Sequence, residues 1–295
     1  MKFIWTIKWI FDSPLNKNRK LKSFLIFVKW QLVSSVFPNV YKFDWVLPAK
    51  MYINKSEASV TGNLYCGLME FEEMSFLLHY LQSDDLFVDV GANSGSYTIL
   101  ASAVKGSSVI SFEPVHKSYY RMLKNVELNH VEHLVDVRNK AIGAEVGRAL
   151  ITSNLDSMNR ILVHNIKDED AISVELSTLD REIERIPKIM KIDVEGFESQ
   201  VLAGAKELLK NENLQAIIIE LNGSGKNYGF IDSTIADTLV ESGFKAVSYE
   251  PWSRKLRLLG VNFNKFGNTI FVRNLDWSRS ILLNSDKFKI FNLSI

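Results

Sequence analysis

The sequence has few of the residues that define specialised classes. It holds one cysteine, Cys66, so it has no internal disulfide and no cysteine-built zinc site, as expected in a reducing compartment. Six prolines and 15 glycines in 295 residues exclude collagen-like and low-complexity chains. A net charge of +1 lacks the basic surplus of a dedicated nucleic-acid binder. No apolar run approaches the roughly 20 residues of a membrane-spanning helix, and no short apolar stretch is followed by a small-residue cleavage site. What is present is ordinary for a folded chain: 46% hydrophobic and 23% charged residues, enough apolar surface to offset chain entropy.

The charge is unevenly placed. Residues 1–42 carry eight basic residues and one acid, Asp12, a net +7, which leaves −6 for the remainder. The same segment holds Trp5, Trp9 and Trp30 among Ile, Leu and Phe, with Lys8 and Lys29 breaking the apolar runs. Two readings stay open: an arm lying on an anionic membrane surface, or helices packed on the main body with their lysines in water. Residues 1–70 are read as a basic, aromatic extension and 71–295 as the main domain, in a cytoplasmic protein that touches the membrane peripherally if the first reading holds.

Within the main domain, helical spacing over 71–82 precedes an apolar strand, Leu86–Val90. Further strands are read at Val109–Phe112, Leu134–Arg138, 188–193, Ala216–Leu221, Lys245–Tyr249 and Thr269–Val272, with helices at 115–128, 197–210 and 233–242. Continuous apolar strands alternating with helices imply an α/β fold, a mostly parallel sheet covered on both faces. The stretch 144–186 breaks the rhythm and reads as an insertion, with short strands near 149–152 and 172–176.

The first strand runs into Gly91-Ala92-Asn93-Ser94-Gly95, and a helix begins near Tyr97. Ligands bind outside the carboxyl ends of such strands. Gly91 and Gly95 let the backbone come close to a ligand, and the helix start offers free N–H groups. The loop is neither a dinucleotide G-x-G-x-x-G nor a P-loop, which disfavours a nicotinamide oxidoreductase. Asp89 precedes the turn, where it could accept from a ligand ammonium or fix the loop. Glu113, in Phe112-Glu113-Pro114, lies about 20 residues on, the place of an acid that takes both ribose hydroxyls. A ligand with a ribose, an ammonium and a carboxylate but no phosphates is S-adenosylmethionine.

Val88–Thr98 (VDVGANSGSYT), the FEP acid, Lys191–Glu198 (KIDVEGFE) and Val201–Ala205 (VLAGA) in this order resemble the FkbM family of methyltransferases, and the resemblance covers nearly the whole chain. It implies a Rossmann-like class I methyltransferase fold and transfer of a methyl group from S-adenosylmethionine, most often to a sugar or glycan hydroxyl. It assigns the cofactor to Asp89, Gly91, Asn93, Gly95, Thr98 and Glu113, with Asn139 and Ala141 near the adenine. N- or O-methylation of a lipid or small metabolite, and a non-catalytic glycan- or membrane-associated binder, are the rival readings.

For the chemistry, Asp193 and Glu195 sit two apart after the fourth strand, and Glu220 ends the fifth. These three are the candidate catalytic carboxylates, since a sugar hydroxyl needs a base. Glu195 alternatively caps the helix beginning at Phe197. Asp193, Glu220 and Asn222 form an oxygen-rich set of the type that suits Mg²⁺ or Ca²⁺, although the reading favours no metal. Asn222, Tyr228, Trp252 and Arg254 are read as acceptor contacts in loops at the ligand edge. Of the five histidines none has zinc spacing, and His164, in the insertion, is the one that could reach over the crevice as a base.

Overall fold

The computed structural model describes residues 2–55, 57–155, 158–162, 171–260, 263–264 and 267–295. The basic segment forms helices α1 (Lys2–Asp12) and α2 (Lys20–Val36), then a hairpin of β1 (Tyr41–Asp44) and β2 (Lys50–Ile53). Helices α3 (Ala58–Cys66) and α4 (Phe71–Tyr80) lead into the sheet. None of the described helices is long and apolar enough to cross a membrane.

The first half of the sheet unit is β3 (Leu86–Val90), α5 (Ser96–Ile99), β4 (Ser108–Phe112), α6 (His116–Leu128) and β5 (Val135–Arg138). A three-stranded excursion follows: β6 (Ala141–Ile142), β7 (Gly147–Thr152) and β8 (Ala171–Ser177) in the order β6-β8-β7. Its β7 and β8 overlap the short strands read near 149–152 and 172–176, whereas β6 lies before the expected start at 144. The chain returns through α7 (Leu179–Glu182), β9 (Ile189–Ile192), α8 (Glu198–Ala203), α9 (Lys206–Lys210) and β10 (Ala216–Glu220). The helix expected at 197–210 is thus two short ones, parted at Gly204, where an added Cβ would lie 2.0 Å from the carbonyl oxygen of Gly143. The end of the chain is α10 (Asp232–Glu241), β11 (Lys245–Glu250), β12 (Lys255–Leu258), β13 (Asn268–Val272), α11 (Leu275–Leu283) and a hairpin of β14 (Lys289–Ile290) and β15 (Leu293–Ser294).

The eight-stranded sheet has the order β12-β11-β13-β10-β9-β3-β4-β5. Strands β10, β9, β3, β4 and β5 run parallel, and β13 inserts antiparallel between β10 and β11. Successive strands step outward from β3 in one direction and from β9 in the other, so the strand order reverses between β3 and β9. A crevice opens at that switch point. All five residues of β3 and all four of β9 are buried, as a sheet covered on both faces requires. The architecture is the α/β, mostly parallel sheet with helices on both faces that the sequence implied.

The N-terminal segment has no core of its own. Ile10, Leu15, Phe27 and Trp30 are buried in the same cluster as Phe87 and Ile189 of the sheet. Each such side chain is worth about 1.5–3 kcal/mol on burial, so the packed-helix reading holds for the inner faces of α1 and α2.

Candidate functional site

The Gly91 loop turns at the end of β3. The amides of Gly91 and Ala92 both donate to the carbonyl of Phe112, 3.0 Å each, which ties the loop to β4. Gly91 has φ +83°, and a Cβ there would lie 1.8 Å from the carbonyl oxygen of Asp193. Only glycine lets the ends of β3 and β9 approach this closely. Gly95, also at positive φ, and Thr98 lie behind the loop, where Thr98 Oγ1 donates to Asp89 Oδ2 (2.8 Å) and meets Ser111 Oγ (2.7 Å).

Asp89 is 1% exposed, and burial lifts its carboxyl to about 6 despite Lys191 and the Thr98 hydroxyl. Its Oδ1 is buried with no hydrogen-bond partner, although the residue borders a cavity. A buried oxygen of this kind is costly unless a ligand donor meets it. On the other side of the loop, Glu113 accepts from the amides of Asn93 and Val115, both at 2.9 Å. Burial holds its carboxyl up at about 7, against those two hydrogen bonds. Glu113 borders a slot with Phe112, Val115, Ala141 and Ile142, closed from above by Ile151 and Ile161 of the insertion. Asn93, Lys140, Asn159, Asp193 and Glu195 also line it, so the slot pairs an apolar patch with polar groups, which suits a flat ring joined to a diol. Asn139 does not line it: its amide donates to the carbonyls of Glu113 (2.8 Å) and Pro114 (3.0 Å) and so fixes the turn that presents Glu113.

The second cavity, of about 450 Å³, opens on the same loop and runs past Asp89, Lys191, Asp193, Glu195 and Glu220. Asp89 and Lys191 are register neighbours across β3 and β9, so their side chains lie on the same face. Lys191 is 3% exposed and donates to Asp193 Oδ2 at 2.7 Å, with its ammonium 4.8 Å from the Tyr97 ring. Burial alone would lower the Lys191 ammonium, but the charges of Asp193, Glu70 and Asp89 outweigh it and hold the group protonated. Tyr97 in turn donates to Glu70. Sequence reading gave no role to Lys191, Glu70 or Tyr97. A lysine two residues before Asp193 on one strand face was the available signal for the first; nothing local joins Glu70 to Tyr97.

Carboxylate oxygens of Asp193, Glu195 and Glu220 lie within 4.8 Å of one another. Burial, then the neighbouring Asp193 and Glu195, push Glu220 up to about 9, and its Oε2 is buried without a partner. Burial, then Asp193 and Glu198, raise Glu195 to about 7. Glu195 has φ +54° and Gly196 φ +105°, a turn that a non-glycine residue adopts only when its surroundings demand it. Glu198 closes that turn, its Oε1 accepting from the amides of Val194 and Gly196, both at 3.1 Å. The capping role that the sequence left open for Glu195 is not taken up: α8 has Phe197 at its N-cap position and no side-chain cap, and Glu198 braces the turn before it. The oxygen-rich group also differs from expectation. Asn222 is exposed and accepts from the amide of Ser224 (2.9 Å), a local turn, and Glu195 takes its place beside Asp193 and Glu220.

The remaining acceptor candidates divide. Tyr228 packs on Phe197 and donates to the carbonyl of Ile161 (2.8 Å), which joins the loop after β10 to the insertion. Trp252 stacks at a tilt 5.5 Å from Phe71 and is 46% exposed. The Arg254 guanidinium donates to the carbonyls of Asp286 (3.0 Å) and Ile295. Neither lines the two cavities, because β13 stands between β10 and β11 and carries the β11–β12 turn away from the crevice. His164 lies outside the described residues. A wall that sequence reading did not foresee comes from α1: Thr6 and Trp9 line the large cavity.

The chain is similar to several known proteins. The hexuronic acid methyltransferase AglP of Haloferax volcanii is 25% identical over 157 residues, 52% of this chain and 62% of AglP; the chain thus spans less than two thirds of that relative. Among solved structures, a methyltransferase FkbM from Methylobacillus flagellatus is 16% identical with a TM-score of 0.44, over 72% of this chain and 53% of that one. A Streptococcus mutans protein in complex with SAH is 10% identical with a TM-score of 0.42, over 68% and 96% of the two chains. Residues 89–246, more than half of the sequence and the span from Asp89 to the start of β11, match the model of the methyltransferase FkbM domain, and the chain belongs to that family.

Proposed function

We propose that the chain transfers a methyl group from S-adenosylmethionine to a hydroxyl of a neutral sugar or glycan. The observation that carries this reading is the pairing of two acids on either side of one glycine loop. Glu113 borders the slot that Phe112, Val115, Ala141 and Ile142 help to line and can accept from a diol, while the unpartnered Asp89 Oδ1 borders the acid-lined cavity and can accept from an ammonium. That is the polar pattern of this cofactor, and its family supports the assignment. Asn93 and Gly91, which border both spaces, would hold the middle of the molecule, and Ala141 the adenine edge. When bound, S-adenosylmethionine supplies a methyl group already activated on a sulfonium.

The protein's part is alignment and proton transfer. Alignment of a near-attack hydroxyl can supply up to about 7–11 kcal/mol of the barrier. The acceptor's O–H proton must leave as its oxygen bonds to the methyl carbon and the carbon–sulfur bond breaks. Asp193 is held by Lys191. Glu220, at about 9, carries its proton at neutral pH, and Glu195, at about 7, is the carboxyl poised to take one. Asp193 and Glu220 then act as positioning groups around Glu195. AglP is a hexuronic acid methyltransferase. We take from it the sugar class and not the acid, because a uronate here would face three carboxyl groups, and the Arg254 offered for it is spent at the C-terminus.

The test is transfer of labelled methyl to a panel of neutral and uronic sugars. Label on neutral acceptors, lost at least 100-fold in Glu195→Gln with SAH affinity within twofold, is the expected result. Exclusive labelling of uronic acids would refute the neutral acceptor, and unimpaired turnover of Glu195→Gln would refute the base.

A further inference from the structure

Helix α2 is apolar on two opposite faces. Ser23, Phe27, Trp30 and Ser34 form the buried face. At 3.6 residues per turn, Leu21, Leu25, Leu32 and Val36 line up about half a turn away from it. All four point to solvent, with exposures of 72, 57, 62 and 65%. Exposed Lys22 and Lys29 border this stripe on one side. Phe37 and Val40, 61 and 60% exposed, extend it past the helix. On α1, Ile4 and Trp5 are 72 and 67% exposed, and the Lys8 ammonium lies 5.8 Å from the Trp5 ring. A continuous outward apolar stripe on a folded helix marks an interaction surface.

We infer that the outer faces of α1 and α2 dock on an anionic lipid bilayer. Charge complementarity selects this occupant: the segment is +7 with Asp12 its single acid, and lysines flanking leucine and tryptophan are the composition of an interfacial helix. A second copy of the chain would bring the same positive surface to the contact. Because Thr6 and Trp9 on α1 also line the acid-rich cavity, docking would set that cavity at the lipid surface. The inference does not depend on methyl transfer.

The test is co-sedimentation of the full chain with vesicles of phosphatidylcholine and phosphatidylglycerol at 3:1, against pure phosphatidylcholine. Deletion of the segment is unsuitable, since Ile10, Leu15, Phe27 and Trp30 belong to the core. Lys22→Ser/Lys29→Ser should weaken binding to anionic vesicles about 25-fold, roughly fivefold for each lysine removed from an anionic surface (about 1 kcal/mol). Leu25→Glu/Leu32→Glu should weaken it at least tenfold, with an unchanged circular dichroism spectrum. Binding should also fall with added salt. Failure of the wild type to bind the anionic vesicles overturns the inference, as does full binding by the Leu25→Glu/Leu32→Glu variant. A wild-type dimer that this variant converts to monomer would assign the face to a second copy instead.

Discussion

Lys191 is the cation on which the acid-rich cavity rests, and its removal tests the electrostatics of the site. Lys191→Met keeps the length and apolar stem but deletes the ammonium that meets Asp193 at 2.7 Å. Its charge is also felt by Glu70 and Asp89. Breaking one partner of a buried pair costs about 3–5 kcal/mol, and because the Asp193 side chain is 24% exposed the lower end, about 3 kcal/mol, applies here. Against a typical stability of about 5–15 kcal/mol this is about a fifth or more of the total. Urea unfolding of the SAH-free protein at pH 7.5 should show that loss with an unchanged m-value. Without the ammonium, the buried Asp89 carboxyl, already raised by burial, loses a charge that lowers it, so the folded state binds a proton there more tightly than the unfolded state does. Stability then falls as pH rises, and the deficit against wild type should be smaller at pH 6 than at pH 8. Lys191→Met/Asp193→Asn removes both partners and should recover about 1–3 kcal/mol of the loss. A single variant within 1 kcal/mol of wild type, with a deficit independent of pH, would refute the reasoning.

Three further outcomes are expected. Gly91→Ala must place a Cβ 1.8 Å from the Asp193 carbonyl oxygen at φ +83°; thermal and urea unfolding should show about 2–5 kcal/mol of destabilisation, and calorimetry a loss of SAH binding. The carboxyls of Asp89, Glu113, Glu195 and Glu220 are all raised in the folded state, so the ligand-free protein should lose stability as pH rises from about 5 to about 9. Glu220→Gln should flatten the upper part of that curve in a series of thermal melts, and an unchanged slope would remove Glu220 as its source. Tyr228→Phe deletes the hydroxyl that donates to the Ile161 carbonyl and should lower stability by about 1 kcal/mol in urea unfolding.

The parts of the fold that are local in sequence were legible from it. The run from Leu86 to Pro114 carries its own strand, loop and acid, and the structure keeps that order in β3, the Gly91 turn and Glu113. The insertion was visible because its polar residues interrupt an apolar rhythm, and β7 and β8 fall where short strands were expected. What depends on packing between distant segments was not legible. Trp252 and Arg254 follow a strand whose loop ought to face the crevice, but β13 enters the sheet out of sequence order and displaces them. Tyr97 meets Glu70 across 27 residues, and Thr6 and Trp9 reach the cavity only because α1 folds back onto the sheet unit. Glu195 was open to a capping role because it stands just before the helix; in the structure it borders the cavity at positive φ, and Glu198 takes the amides of Val194 and Gly196.

The central claim is that the Gly91 loop, with Glu113 on one side and Asp89 on the other, holds S-adenosylmethionine. Calorimetric titration of the purified, ligand-free chain with SAH, and separately with NAD⁺, tests it most directly. The account predicts one micromolar site for SAH, weakened at least tenfold by Glu113→Ala, and no heat with NAD⁺. Binding of NAD⁺ in its place, or no SAH binding by folded protein, would contradict it.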